Sequence, residues 1–312
     1  MKKITIASGC FNEAGNIGEL YRRCLEVLKN FPEYDYEFVI SDNLSTDGTR
    51  EILREIAAKD PKFKVILNAN NFGHIRSPFN ALLNASGDAV VWMCSDLQEP
   101  PEVISEFIRK WQEGAKVVAG VRSGTRASWF MELLRKGYYS LLAKTSSESA
   151  VIPKFTGFGL YDKVVIDALK KFNDPYPYFR GLVAEIGFQR AEVPFVQEKR
   201  KHGKTKNNFF TLYDMAMTGF VNHTKLPLRL AVFSGFFIAF LSLLVALGYF
   251  IYKLCNWDDF QVGMAPLVIG LFFFSAIQLI FIGILGEYIG AIYTQVKNKP
   301  LVIEEERINF DE

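Results

Sequence analysis

The chain has 312 residues, 49% of them hydrophobic and 22% charged, with a formal net charge of +2. That length allows one to two domains with a sizeable core, and the near-balanced charge excludes nucleic acid as a partner recruited by bulk electrostatics. Four scattered cysteines (Cys10, Cys24, Cys94, Cys255) make no CxxC pair and no zinc spacing with His74, His202 or His223, so a reducing compartment is expected. The start, MKKITIASG, turns polar at once and does not read as a secretory leader.

Through the first 200 residues, short β-rich runs alternate with amphipathic stretches. The expected strands are KITIASG (3–9), YEFVISD (36–42), FKVIL (63–67), AVVWMCS (89–95) and KVVAGV (116–121). Helical periodicity fills Glu13–Leu28, Asp47–Lys59, Ile75–Ala85 and Pro101–Gln112. This alternation predicts a mainly parallel sheet with helices on both faces. In such sheets ligands bind beyond the carboxyl ends of the strands. Polar residues stand there: Cys10 to Glu13 after the first strand, Asp42 to Thr49 after the second, Ser95 to Glu102 after the fourth. Ser45 and Asp47 read as caps of the second helix. Asp96 and Gln98, two oxygen ligands two residues apart at a strand end, suit a divalent metal. His74 opens the third helix near the expected cleft, and Arg126, Arg135 and Lys136 read as an exposed loop.

The chemistry then changes. Leu230 to Tyr252 is 23 residues without a charge, about 35 Å of helix at about 1.5 Å per residue, against a hydrocarbon core of about 30 Å. A second uncharged run, Phe260 to Gly286, follows after seven residues, so a helical hairpin is expected. Basic residues flank its outer ends (Lys225 and Arg229 before, Lys297, Lys299 and Arg307 after), which predicts a multi-pass protein of the inner (plasma) membrane with both termini cytoplasmic. Before the hairpin, Lys199 to Lys206 concentrate positive charge, and FFTLYDMAMTGFVNH (209–223) reads as an interfacial amphipathic helix. Ser234, Gly235, Ala239, Gly283, Gly286 and Gly290 suit packing of the hairpin against copies of itself, a homo-oligomer. The expected organisation is a catalytic domain over 1–208, an interfacial helix over 209–225, two transmembrane helices over 226–293 and a cytoplasmic tail over 294–312.

Taken in order, FNEAGNI, SDNLSTDGT, NNFGH, SDLQEPPE and RKHGKTK resemble the YNE-type start and the DDGSxDGT, NxG, DADLQDPPE and RxxGxSK elements of family 2 glycosyltransferases. The resemblance is to the polyisoprenyl-phosphate group, which includes dolichol-phosphate mannose synthase and the bactoprenol glucosyltransferases, and it covers nearly the whole chain. It implies a GT-A (Rossmann-like) α/β domain and transfer of a hexose, with inversion, from a nucleotide sugar to a polyprenyl phosphate, with UDP-sugars favoured. Glu13 and Asp42 would meet the nucleoside. Asp96 and Gln98 would hold Mg2+ or Mn2+ at the diphosphate. Arg122 and Arg200 would act at the phosphates, and Arg200, Lys204 and Lys206 would receive the acceptor phosphate. Departures from the family pattern are Cys94 and Asn43 in place of acidic residues, His74 in place of a longer cation, and Gly157 and Gly159 in place of Asp and Arg. Two other classes compete with this reading. A polysaccharide synthase would carry a QxxRW element and more membrane helices, both absent from the sequence, and a non-catalytic nucleotide-sugar-binding scaffold would suit Cys94.

Overall fold

The computed structural model describes residues 1–123, 154–172, 174–200, 226–255, 264–297 and 299–310. They fall into two units, Met1–Gly219 with Lys297–Glu312, and Phe220–Val296. In chain order the first unit contains β1 (Lys2–Cys10), α1 (Ala14–Leu28), β2 (Tyr34–Asp42), α2 (Thr49–Lys59), β3 (Phe63–Asn68), α3 (Gly73–Leu83) and β4 (Ala89–Trp92). A short 3-10 turn (Pro101–Val103) leads into α4 (Ile104–Gln112), followed by β5 (Val117–Arg122), β6 (Phe155–Asp162), α5 (Lys163–Leu169), α6 (Phe179–Ile186) and β7 (Arg190–Phe195). The second unit contributes α7 (Leu226–Cys255) and α8 (Met264–Val296), after which β8 (Glu304–Ile308) returns to the first.

Among the described residues the strands form one sheet in the order β7-β5-β6-β4-β1-β2-β3-β8. Its β1–β2, β1–β4, β2–β3 and β5–β7 pairings are parallel, and those involving β6 and β8 are antiparallel. The sheet is therefore mixed α/β and mainly parallel, as expected. Its strands are apolar on both faces because both faces are covered. Ile4, Ile6, Phe38 and Val65 pack with Leu20, Leu53 and Phe107 of α1, α2 and α4. Ala7, Val90, Val117 and Tyr161 pack with Phe79, Val165 and Leu182 of α3, α5 and α6. The fourth strand ends at Trp92, short of the expected Ser95. Its ladder with β1 closes at Ala7–Trp92, and a single further bond, from the Met93 N–H to the Ala7 carbonyl (3.2 Å), releases the chain into the loop.

The carboxyl-terminal segment differs from the expected tail. β8 pairs antiparallel with β3, matching Val65 to Ile308 and Leu67 to Glu306. EEERI reads as a solvated tail because an edge strand carries charge on its open side. Here that charge has partners: Glu305 meets Arg50 (2.9 Å) and Glu306 meets Arg54 (2.6 Å), both on α2. Asn309 then fastens the end of the strand, donating to the carbonyls of Ala57 (2.8 Å) and Phe63 (2.9 Å).

In the second unit, α7 has 30 residues and α8 has 33. By length and composition, one stretch among the described residues, Gly270–Val296, can cross a membrane, and none of its apolar window is buried. The corresponding apolar stretch of α7 is shorter, Leu228–Ser242. Phe233, Phe236, Phe272 and Ile289 are exposed, which rules out reading these helices as the buried core of a soluble domain. The expected interfacial helix (209–225) lies outside the described residues.

Candidate active site

β4, β1 and β2 lie side by side and parallel, so the loops after them share one edge of the sheet. β6 runs antiparallel to both β4 and β5, and β7 runs with β5, so the ends of β5 and β7 reach the same edge. Four non-glycine residues there adopt left-handed backbone: Asn12 (φ 58°), Leu44 (φ 63°), Leu97 (φ 58°) and Lys154 (φ 59°), the last leading into β6 beside Arg122. Such residues cost roughly 1–3 kcal/mol each and gather at functional sites. Nothing in the residue types of Leu44 or Leu97 signals this conformation.

Asp96 is mostly buried in the loop after β4. Its Oδ1 accepts the Gln98 N–H (3.2 Å) and its Oδ2 accepts Arg200 Nη2 (2.6 Å). Gln98 and Glu198 clasp each other, Gln98 Nε2 donating to the Glu198 carbonyl (3.4 Å) and the Glu198 N–H to the Gln98 carbonyl (2.9 Å). Arg23 of α1 braces this clasp through Glu198 (3.4 Å) and Glu102 (2.6 Å). Glu13 stands just ahead of α1 and accepts Asn16 Nδ2 (2.5 Å). Burial raises its pKa first; the Asn16 bond opposes this, Asp96 adds to the rise and Arg200 offsets it. Glu13, Asp96 and Arg200 thus share one electrostatic cluster. Arg122, at the end of β5, acts on the same loop, since its charge lowers the pKa values of Cys94 and Glu99 against their other neighbours. The structure therefore gathers Glu13, Asp96, Gln98, Arg122 and Arg200 at one edge. Lys204, Lys206 and Arg126, Arg135 and Lys136 lie outside the described residues.

Asp96 and Gln98 fit a divalent cation by donor chemistry. The Gln98 amide nitrogen is committed to Glu198, which leaves its oxygen as the free end of the amide. Among the described residues no group of three or more His, Cys, Asp or Glu could hold a metal. Two hard oxygens suit an ion such as Mg2+, which takes its remaining ligands from phosphate and water. Cys94 does not replace the missing carboxylate. The charge of Glu99 is the first cause that raises its thiol pKa, and sulfur is a soft donor where a divalent ion at a diphosphate takes hard oxygens.

The sequence reading missed Glu99. It is buried, accepting the Cys94 N–H (2.9 Å) and Thr156 Oγ1 (3.0 Å), and desolvation pushes its pKa up to about 7. A carboxyl with a raised pKa binds its proton more tightly in the folded state, so stability falls as pH rises from 4.5 through about 7. Glu99→Gln should flatten that slope, removing on the order of 3 kcal/mol of pH dependence at most. Urea unfolding of the metal-free protein at pH 5 and pH 8 measures it.

Asp42 and Asn43 occupy the expected strand end but face inward. Asp42 has no exposed surface; its carboxylate accepts Arg50 Nε (2.7 Å), the Ser45 N–H (3.1 Å) and, weakly, Cys10 Sγ (3.7 Å). In this structure the Asp42 carboxylate supports the loop that follows. Asn43 explains its own departure from an acidic residue. Its Nδ2 donates to Asn71 Oδ1 (2.8 Å) and to the Gly73 carbonyl (3.1 Å), while its Oδ1 accepts the Phe72 N–H (2.8 Å). A carboxylate cannot make the two donations. Asn43→Asp should destabilise the protein by about 1–3 kcal/mol, seen as a lower Tm and faster amide exchange at Phe72 and Gly73.

The model of glycosyl transferase family 2 matches residues 5–167. The uncharacterized glycosyltransferase YkcC of Bacillus subtilis (strain 168) is 35% identical over 306 residues, covering 96% of this chain and 93% of its own. The SfII prophage-derived bactoprenol glucosyl transferase of Shigella flexneri is 32% identical over 301 residues, covering 96% and 97%. A solved mannosyltransferase, PcManGT from Pyrobaculum calidifontis in complex with GDP-Man and Mn2+, is similar at 15% identity and a TM-score of 0.47, over 96% of this chain and 88% of that one. With its strand-end acidic and basic cluster and this similarity along almost its whole length, the chain belongs to glycosyl transferase family 2.

Proposed function

We propose that this glycosyltransferase moves a hexose from a nucleotide sugar, UDP-linked in the favoured reading, to a polyprenyl phosphate, with inversion at the anomeric carbon. The acceptor class comes from relatives named bactoprenol glucosyl transferases. The observation that carries the reading is the return of the chain. The sheet bearing Glu13, Asp96 and Arg200 is completed by β8, which follows the membrane-length helix, so the same domain precedes and follows that segment. A chain that leaves and rejoins one domain crosses the bilayer an even number of times. This supports α7 and α8 as a two-pass hairpin of the inner (plasma) membrane with the catalytic domain and both termini on the cytoplasmic side.

The acceptor sets the chemical demands. A phosphate monoester has a second pKa of about 6, so at neutral pH it is already a nucleophilic dianion and needs no strong general base. Its oxygen bonds to the anomeric carbon as the bond to the diphosphate breaks, and the electron pair leaves with the nucleoside diphosphate. The remaining tasks are holding two anions together and stabilising the leaving group. Arg200 and Arg122 offset charge at the phosphates, with Lys204 and Lys206 assigned to the acceptor phosphate. Glu13 and the loop held by Asp42 border the nucleoside. When bound, Mg2+ or Mn2+ at Asp96 and Gln98 supplies Lewis-acid stabilisation of the diphosphate. Because the acceptor brings its own negative oxygen, glycines at 157 and 159 are compatible with activity. Calorimetry with UDP and GDP, with and without Mn2+, tests the donor half: cation-dependent binding of one nucleotide is expected, and failure of both to bind contradicts it.

A further inference from the structure

Arg50, in the first turn of α2, serves three elements with one guanidinium. Nε donates to Asp42 Oδ2 at the end of β2 (2.7 Å), Nη2 to the Asn68 carbonyl at the end of β3 (2.5 Å), and Nη1 to Glu305 Oε2 on β8 (2.9 Å). The Arg50 side chain is 14% exposed and that of Asp42 is 0% exposed, so the inner half of this array is dry. From Asp42 the bonds continue into the site. Asp42 Oδ2 accepts the Ser45 N–H (3.1 Å), Ser45 Oγ accepts the Asn12 N–H (2.9 Å), and the Thr46 N–H donates to Asn12 Oδ1 (2.8 Å). Asn12 and Leu44, both left-handed, lie inside this ring of bonds, and Glu13 adjoins it. A buried carboxylate needs a partner, and an arginine fork can meet three acceptors in a plane where a lysine cannot.

We propose that Arg50 is a positioning residue for donor binding, and that Glu305 holds it in place, so that the strand following the membrane-length helix is a working part of the donor site. The inference rests on the reading that these loops receive a nucleotide. Glu305 fixes the outer end of the fork, Asp42 takes the inner end, and the left-handed turns at Asn12 and Leu44 are kept in register with each other. A built-in control lies one turn along. Arg54 and Glu306 bridge the same α2 and β8 (2.6 Å), but Arg54 is 46% exposed against 14% for Arg50, and neither Arg54 nor Glu306 contacts Asp42. If β8 acted only as a cover for β3, the two pairs would be equivalent.

The test uses the full chain in detergent, with Glu305→Gln, Arg50→Lys and the control Glu306→Gln. Amide exchange at Ser45 and Thr46 is measured without ligand, and binding is measured with whichever of UDP and GDP, each with Mn2+, the wild type binds more tightly. Replacing the charged acceptor of Arg50 Nη1 by a neutral amide oxygen predicts exchange about tenfold faster and nucleotide binding about tenfold weaker in Glu305→Gln. A larger change is expected in Arg50→Lys and none in Glu306→Gln, with kcat at saturating donor little altered by Glu305→Gln. Equal effects of Glu305→Gln and Glu306→Gln, or unchanged exchange at Ser45 in Arg50→Lys, would overturn the proposal. Should the wild type bind neither nucleotide, the donor reading fails and takes the binding role of Arg50 with it. Faster exchange in Glu305→Gln would then still establish the clamp on the loop.

Discussion

Asp96→Asn is expected to lower sugar transfer by about 10²–10³-fold while leaving the fold intact, the size of loss seen when one electrostatic contributor to a transition state is removed. The substitution keeps the shape of the side chain and an oxygen to accept the Gln98 N–H, so the left-handed turn at Leu97 keeps its local bond. What disappears is the negative charge, which in this structure answers Arg200 at 2.6 Å and which a cation at the diphosphate needs. Binding of Mn2+ should weaken in parallel, measured by paramagnetic resonance on the protein without donor. An Asp96→Asn enzyme with wild-type kcat would remove Asp96 from the chemistry altogether.

The second large effect concerns stability. Gly159→Ala should cost about 3–5 kcal/mol or prevent folding, because it overpacks a position where only backbone can yield. Gly159 lies on β6 between Trp92 of β4 and Ala119 of β5, and a Cβ there would stand 2.4 Å from the Val118 carbonyl oxygen. Gly157 is constrained differently. Its φ of +105° disfavours any side chain, and a Cβ would stand 2.1 Å from Trp92 Cζ3. A side chain can move where a carbonyl in a ladder cannot. Trp92→Leu should therefore recover part of the stability lost in Gly157→Ala and none of that lost in Gly159→Ala, a double-mutant cycle read by urea unfolding. The same geometry explains why Asp is absent at 157, where the space is filled by Trp92 stacked edge-on against Phe179 (4.3 Å), and why Arg is absent at 159, where the Val118 carbonyl closes it.

How much of this was legible in the sequence depends on how local the cause was. The five central strands and their helices follow from short-range periodicity, and they are found within about two or three residues of expectation. Glu13, Asp96 and Gln98 were legible because strand ends in a parallel sheet converge by topology, whereas Arg122 and Arg200 were singled out only through the family resemblance. β6 escaped notice because its two glycines interrupt the apolar run in FTGFGLYD, and β7 because RAEVPF carries charge and a proline at the edge of the sheet. β8 was read as a tail because EEERI has no apolar face; its partners Arg50 and Arg54 lie about 250 residues away in sequence. The inward turn of Asp42 and the burial of Glu99 were hidden for the same reason. Each depends on a contact made only after the sheet has assembled.

Incubating the full chain in detergent with undecaprenyl phosphate, a panel of labelled nucleotide sugars, and Mg2+ or Mn2+ tests the proposed activity most directly. Label should pass from at least one donor into the lipid fraction, only with the cation present. Saturable binding of nucleotide and cation with no label reaching the lipid under any donor would contradict it, leaving a protein that holds a sugar donor without spending it.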